Sequence, residues 1–108
     1  MQIIDRDQLK QMAERGDDFA LIEVLGEQEY RKYHLPGAIN VPLGEDFDMR
    51  VRTAVPDKER PVVVYCADTA CQASPKAARR MDELGYRNVL DYEAGKADWK
   101  ESGLPVVA

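Results

Sequence analysis

Cys66 and Cys71 are the residues of this chain best suited to covalent chemistry, and what surrounds them says which kind. Cys66 closes the run Pro61-Val62-Val63-Val64-Tyr65, and the polar stretch Ala67-Asp68-Thr69-Ala70-Cys71-Gln72-Ala73 then leads to Ser74-Pro75. A continuous β-branched run bounded by turn residues predicts a central strand of a parallel sheet, and chemistry in such sheets gathers at the carboxyl ends of the strands. Ser74 as the N-cap and Pro75 at the first helical position predict that a helix starts there. Unpaired amides at that start, with the positive end of the helix dipole, attract an anion and favour thiolate over thiol. Cys66 is therefore the candidate nucleophile, set against the plainer alternative of a buried, inert thiol.

The elements that must hold this thiol alternate between strand and helix patterns from end to end, which predicts an α/β domain with a mainly parallel sheet. Ile3-Ile4 reads as a short edge strand. Asp5 and Gln8 resemble a capping box for a helix with Leu9, Met12 and Ala13 on one stripe, ended by Gly16. Phe19 to Val24 is the next strand, and a short helix from about Glu27 to Tyr33 buries Tyr30 and Tyr33. After the Pro36-Gly37 turn, Ala38 to Val41 forms a third strand, while Gly44 to Val55 suits either a helix or a loop. The helix from Ser74 to Leu84 turns Ala77, Ala78, Met81 and Leu84 inward and Arg79, Arg80, Asp82 and Glu83 outward, and Gly85 stops it. Asn88 to Tyr92 is the fifth strand, and Lys96 to Ser102 a final helix broken by Gly103-Leu104-Pro105.

At 108 residues the chain is expected to form one domain, residues 1–108, around a single core. Both cysteines fall in one short loop, so they staple nothing distant together. A net charge of -5 argues against nucleic acid or an acidic membrane as partner. The start Met1-Gln2-Ile3-Ile4-Asp5 carries no charged leader and no run spans a bilayer, so a cytoplasmic, reducing setting is the expectation. With one histidine and two cysteines, no metal site is expected.

Together these residues resemble the rhodanese family of single-domain sulfurtransferases, over nearly the whole chain. Leu21-Ile22-Glu23-Val24 with Glu29-Tyr30, then His34-Leu35-Pro36-Gly37-Ala38-Ile39-Asn40-Val41-Pro42-Leu43, resembles the family's first signature block. Val63-Val64-Tyr65-Cys66 resembles its catalytic strand. Ser74, Ala77, Ala78, Leu84-Gly85-Tyr86 and Asn88-Val89 resemble the helix and strand after it, and Trp99 with Gly103-Leu104-Pro105-Val106 its closing motif. The resemblance implies a rhodanese-like α/β fold: a central, mainly parallel five-stranded sheet flanked by helices on both faces. It implies a catalytic cysteine, Cys66, that takes a sulfane sulfur as a persulfide from a small donor and passes it to a thiol or protein acceptor without a cofactor. The substrate-binding loop would be Ala67, Asp68, Thr69, Ala70, Cys71, Gln72, Ala73 and Ser74.

Three departures from the family pattern bear on what this loop does. The usual Asp-Val-Arg of the first block is Glu23-Val24-Leu25, so a positive charge near that strand end is absent. The loop from Cys66 to Ser74 is two residues longer than the common one, and Ala73 stands before the serine where arginine is frequent. Gln72 stands where the related phosphatase branch needs an arginine, which disfavours phosphate chemistry. The third departure is Cys71, which is either an incidental small residue or a resolving thiol able to attack a persulfide on Cys66.

Each remaining candidate has a plain reading beside the functional one. Asp68 is a solvated turn residue whose charge opposes a neighbouring thiolate and repels anionic donors. Ser74 is a helix cap and, by resemblance, a donor to the bound sulfur. Lys76 reads as a solvated lysine, with replacement of the missing charge as the alternative. His34 suits turn packing better than base catalysis, and Tyr30, Tyr33 and Trp99 suit the core or its edge. Two rival functions stay open: a non-catalytic interaction module on the same fold, and a Cys66/Cys71 thiol–disulfide redox switch. Oligomeric state is not legible.

Overall fold

A computed structural model describes all 108 residues. Its centre is β4 (Val62–Tyr65), wholly buried on both faces as the β-branched run predicts. β4 lies between β5 (Val89–Tyr92) and β2 (Ala20–Glu23), with β1 (Gln2–Ile3) outside β5 and β3 (Ile39–Asn40) outside β2. All four pairings are parallel, so the sheet runs β1-β5-β4-β2-β3 in one direction throughout. The edge strands are two residues each: β1 is as short as its pattern suggests but begins one residue earlier, and β3 is shorter than the Ala38 to Val41 pattern.

Alternation along the strands divides the core into two layers. Ala20, Ile22, Val62, Val64, Cys66 and Val89 face α3 (Phe47–Ala54) and α4 (Ala73–Glu83), meeting Phe47, Val51, Ala77, Ala78 and Met81. Leu21, Val63, Tyr65, Leu90 and Tyr92 face the other way, meeting Leu9 of α1 (Arg6–Glu14) and Trp99 of α5 (Gly95–Glu101). The segment left open between helix and loop is the helix α3, because burying Phe47 and Val51 one turn apart closes the first layer. The Asp5/Gln8 capping box is present, with both reciprocal hydrogen bonds made.

Several features near the site also differ from the sequence reading. α2 (Glu27–Lys32) is there, but Tyr30 and Tyr33 are only half-buried, since this helix rides on the rim of the sheet. Cys66 is the first residue beyond β4, and α4 begins one residue before Ser74. Ser74 is therefore not the N-cap: that position belongs to Gln72, whose side chain caps nothing, while Ser74 points inward from the first turn. Its one-turn spacing from Ala77 and Ala78 puts it on the buried stripe, and burial there overrides the preference of serine for a cap.

Candidate active site

Cys66 lies where β4 gives way to the loop, fully buried on the α4 side of the sheet. Its carbonyl accepts from the Lys96 amide at 2.9 Å, and the Ala67 carbonyl accepts from the Ala97 amide at 2.9 Å, so the start of α5 holds the loop's first residues. This contact requires Gly95. A Cβ there would lie 2.6 Å from the Ala67 carbonyl carbon and oxygen and 2.7 Å from the Asp68 nitrogen, and its φ of +77° disfavours any other residue.

Past Ala67 the loop folds on Asp68. The Asp68 carboxylate accepts from the Ala70 amide at 3.0 Å and its carbonyl from the Cys71 amide at 3.1 Å, forming a tight turn through the exposed residues Thr69 and Ala70. That turn brings Cys71 back onto Cys66, and the two are joined as a disulfide with Cα atoms 6.4 Å apart. Cys71 itself is half-buried against the layer that contains Cys66.

The turn also changes the expected anion cradle. Two of the loop's amides, those of Ala70 and Cys71, are occupied within the loop. The amides left without helical partners at the start of α4 are those of Ala73 and Ser74, because Pro75 has none. Lys76 is exposed on the first turn of α4 and makes no ion pair. The sequence's substrate-binding stretch Ala67 to Ser74 is thus a loop through Gln72 and a helix from Ala73.

The cation missing at the end of β2 is replaced from a distant part of the chain. Lys96 is buried, and its Nζ donates to Glu23 Oε2 at 3.2 Å and to the carbonyls of Glu29 at 2.8 Å and Tyr33 at 2.6 Å. Tyr65 Oη donates to Glu23 Oε1 at 2.9 Å and accepts from the Leu35 amide at 3.1 Å. Burial, with the Glu23 carboxylate beside it, raises the Tyr65 hydroxyl's pKa and keeps it protonated. With three acceptors around it, the ammonium is committed to the scaffold and leaves no free charge for an anionic substrate. The one signal in sequence was the spacing of Lys96 from Trp99, which puts a lysine on the buried face of α5.

Asp91 is a second residue that the sequence reading missed. It pairs with Val64 in register and lies wholly buried on the α4 side, like Ser74. Neither Asp91 oxygen nor Ser74 Oγ makes a hydrogen bond of normal geometry. Burial raises the Asp91 carboxyl's pKa above the ordinary range, although the Ser74 hydroxyl lies close enough to oppose that shift. Its sequence signal was position alone, an acid in a strand expected to be covered on both faces.

His34 packs as the turn reading expects: its ring stacks on Tyr30 with centroids 3.8 Å apart, its Nδ1 lies 2.9 Å from the Tyr30 carbonyl, and its backbone bridges to Val107. Trp99 is core, its Nε1 donating to the Pro105 carbonyl at 2.8 Å. No group of three or more His, Cys, Asp or Glu side chains is placed to hold a metal ion, and no helix is long and apolar enough to cross a membrane.

Comparison with known proteins agrees with this fold. The chain is 43% identical over 68 residues to a thiosulfate sulfurtransferase of Escherichia coli, covering 63% of this chain and 62% of that protein. It is 36% identical over 103 residues to an HTH-type transcriptional regulator of Mycobacterium tuberculosis, covering 95% of this chain but 43% of the regulator. The chain thus spans less than two thirds of either relative. A solved rhodanese with anions from E. coli superposes with a TM-score of 0.65 at 36% identity, covering 82% of this chain and 95% of that one. Residues 5–102 match the rhodanese-like domain family, and with the parallel five-stranded sheet and the cysteine at the end of its central strand, the chain belongs to that family.

Proposed function

We propose that this protein is a sulfurtransferase that carries sulfane sulfur on Cys66. The Cys66 thiolate attacks the outer sulfur of a donor, the donor's S–S bond breaks, and its remaining fragment leaves with the electron pair: sulfite from thiosulfate, a thiolate from a persulfide. A thiol or protein thiolate then takes that sulfur from Cys66 in a second displacement, so ping-pong kinetics follow. The observation that carries this reading is the placement of Cys66 directly after the central strand and beside the start of α4. Helix-start amides and dipole stabilise the thiolate and the charged persulfide alike. Relatedness to a thiosulfate sulfurtransferase supports it.

The test is mass spectrometry of the reduced protein after exposure to thiosulfate or glutathione persulfide. One added sulfur on Cys66 is expected, and Cys66→Ser should lose turnover. Retained turnover in that variant would remove Cys66 from the role.

The Cys66–Cys71 disulfide favours a second reading of the same residues, a thiol–disulfide switch. In that reading mild peroxide converts Cys66 to a sulfenic acid, Cys71 condenses with it, and a dithiol reductant restores both thiols. Peptide mapping after peroxide, with and without that reductant, separates reversible pairing from further oxidation of Cys66.

A further inference from the structure

We infer that this domain also reduces the sulfur it binds, with Cys71 as the internal acceptor that expels it as sulfide. The inference rests on the Cys66 persulfide proposed above and extends it to a second activity, persulfide reduction.

The contact between the two cysteines is built into the loop. Asp68 forms its turn with both its carboxylate and its carbonyl, α5 pins Cys66 and Ala67 from the other side, and Cys71 returns to its place against the core layer that holds Cys66. Their Cα atoms are 6.4 Å apart, a separation that a disulfide spans without movement of the backbone. Any sulfur held on Cys66 therefore has a thiol beside it before an external acceptor arrives.

The step balances without an outside oxidant. A loaded chain has Cys66 Sγ bonded to an outer sulfur, with Cys71 as a thiol. Cys71 gives up its proton and attacks Cys66 Sγ. The Sγ–Sγ bond forms, the bond to the outer sulfur breaks, and that sulfur leaves as hydrosulfide with the electron pair and the proton. The sulfane sulfur is reduced, and the two cysteine sulfurs are oxidised to the disulfide that the structure holds.

Resetting the site needs an external dithiol reductant, and exposure selects where it attacks. Cys66 is fully buried, whereas Cys71 is half-exposed. The reductant meets the accessible Cys71 Sγ and releases Cys66 as the leaving thiolate, beside the start of α4. Attack in this sense returns Cys66 ready for the next donor.

A single turnover tests the inference with reductant absent. Fully reduced wild type, Cys71→Ser and Cys71→Ala are loaded anaerobically with glutathione persulfide, freed of excess by rapid desalting, and followed by sulfide assay and intact mass. Wild type should release one sulfide per chain and end as the Cys66–Cys71 disulfide. Both variants should keep the persulfide on Cys66, releasing sulfide slower by about tenfold or more. Should wild type hold its persulfide beside a free Cys71 for as long as the variants do, the inference is overturned and the sulfurtransferase reading stands. If no chain gains sulfur on Cys66, both fall together.

Discussion

At Cys66 the protein solves one problem and leaves another open. In the proposed reading the start of α4 favours a thiolate on reduced Cys66, but the surroundings carry little positive charge for a dianionic donor. Leu25 and Ala73 stand where the family resemblance would place cations, Asp68 adds a negative charge, and the one buried cation, Lys96, is held by Glu23 and two carbonyls. Thiosulfate should accordingly saturate poorly, and neutral or thiol-linked persulfides should be better donors. A charge-assisted hydrogen bond contributes about 1.5–3 kcal/mol, so Ala73→Arg should raise kcat/KM for thiosulfate by roughly ten- to a hundredfold. The gain with glutathione persulfide should be smaller. Steady-state kinetics on both donors check this, and equal gains for the two would mean that charge is not what limits thiosulfate.

The elements that position the loop are tied to the sheet by one buried ion pair. Lys96 serves twice, its amide holding the Cys66 carbonyl and its ammonium holding Glu23 at the end of β2. Removing one partner of such a pair strands a charge in the interior and costs about 3–5 kcal/mol, whereas removing both is far milder. Lys96→Met is thus expected to destabilise the fold strongly, and Glu23→Gln combined with Lys96→Met to recover much of the loss. Denaturant unfolding of the single and double variants measures the coupling, and additive losses would contradict it. None of this was visible as a motif. Glu23 and Lys96 lie far apart in sequence, and only the approach of α5 to β2 and β4 brings them together.

For the whole molecule the same chemistry sets a pH dependence. Asp91 is buried without a hydrogen-bond partner, and burial raises its carboxyl pKa in the folded state. Below about pH 4 the group is protonated whether the chain is folded or not, so it imposes no charge penalty there. As pH rises, the unfolded chain releases that proton first, and stability falls by up to about 1.4 kcal/mol per unit until the folded pKa is passed. Asp91→Asn should abolish this decline, so its stability advantage over wild type should grow as pH rises from about 4. Unfolding curves across that range decide the matter, and parallel pH profiles would show that Asp91 does not titrate differently on folding.

Much of the fold was legible because the signals were local. The Val62 to Tyr65 run, the Asp5/Gln8 box and the inward stripe of α4 are short-range patterns, and a parallel sheet with two packed faces follows from their order. Ser74 marks the limit of that method, since a good capping residue near a helix start was drawn into the interior by the stripe it belongs to. By itself the sequence determined the α/β order and a cysteine at the end of the central strand. Tertiary structure decided that Cys71 meets Cys66, that Lys96 neutralises Glu23, and that Asp91 lies buried on the same side of the sheet as Ser74. Strand and helix propensities act over a few residues, whereas those three placements depend on how the Asp68 turn, α5 and α4 pack against the finished sheet.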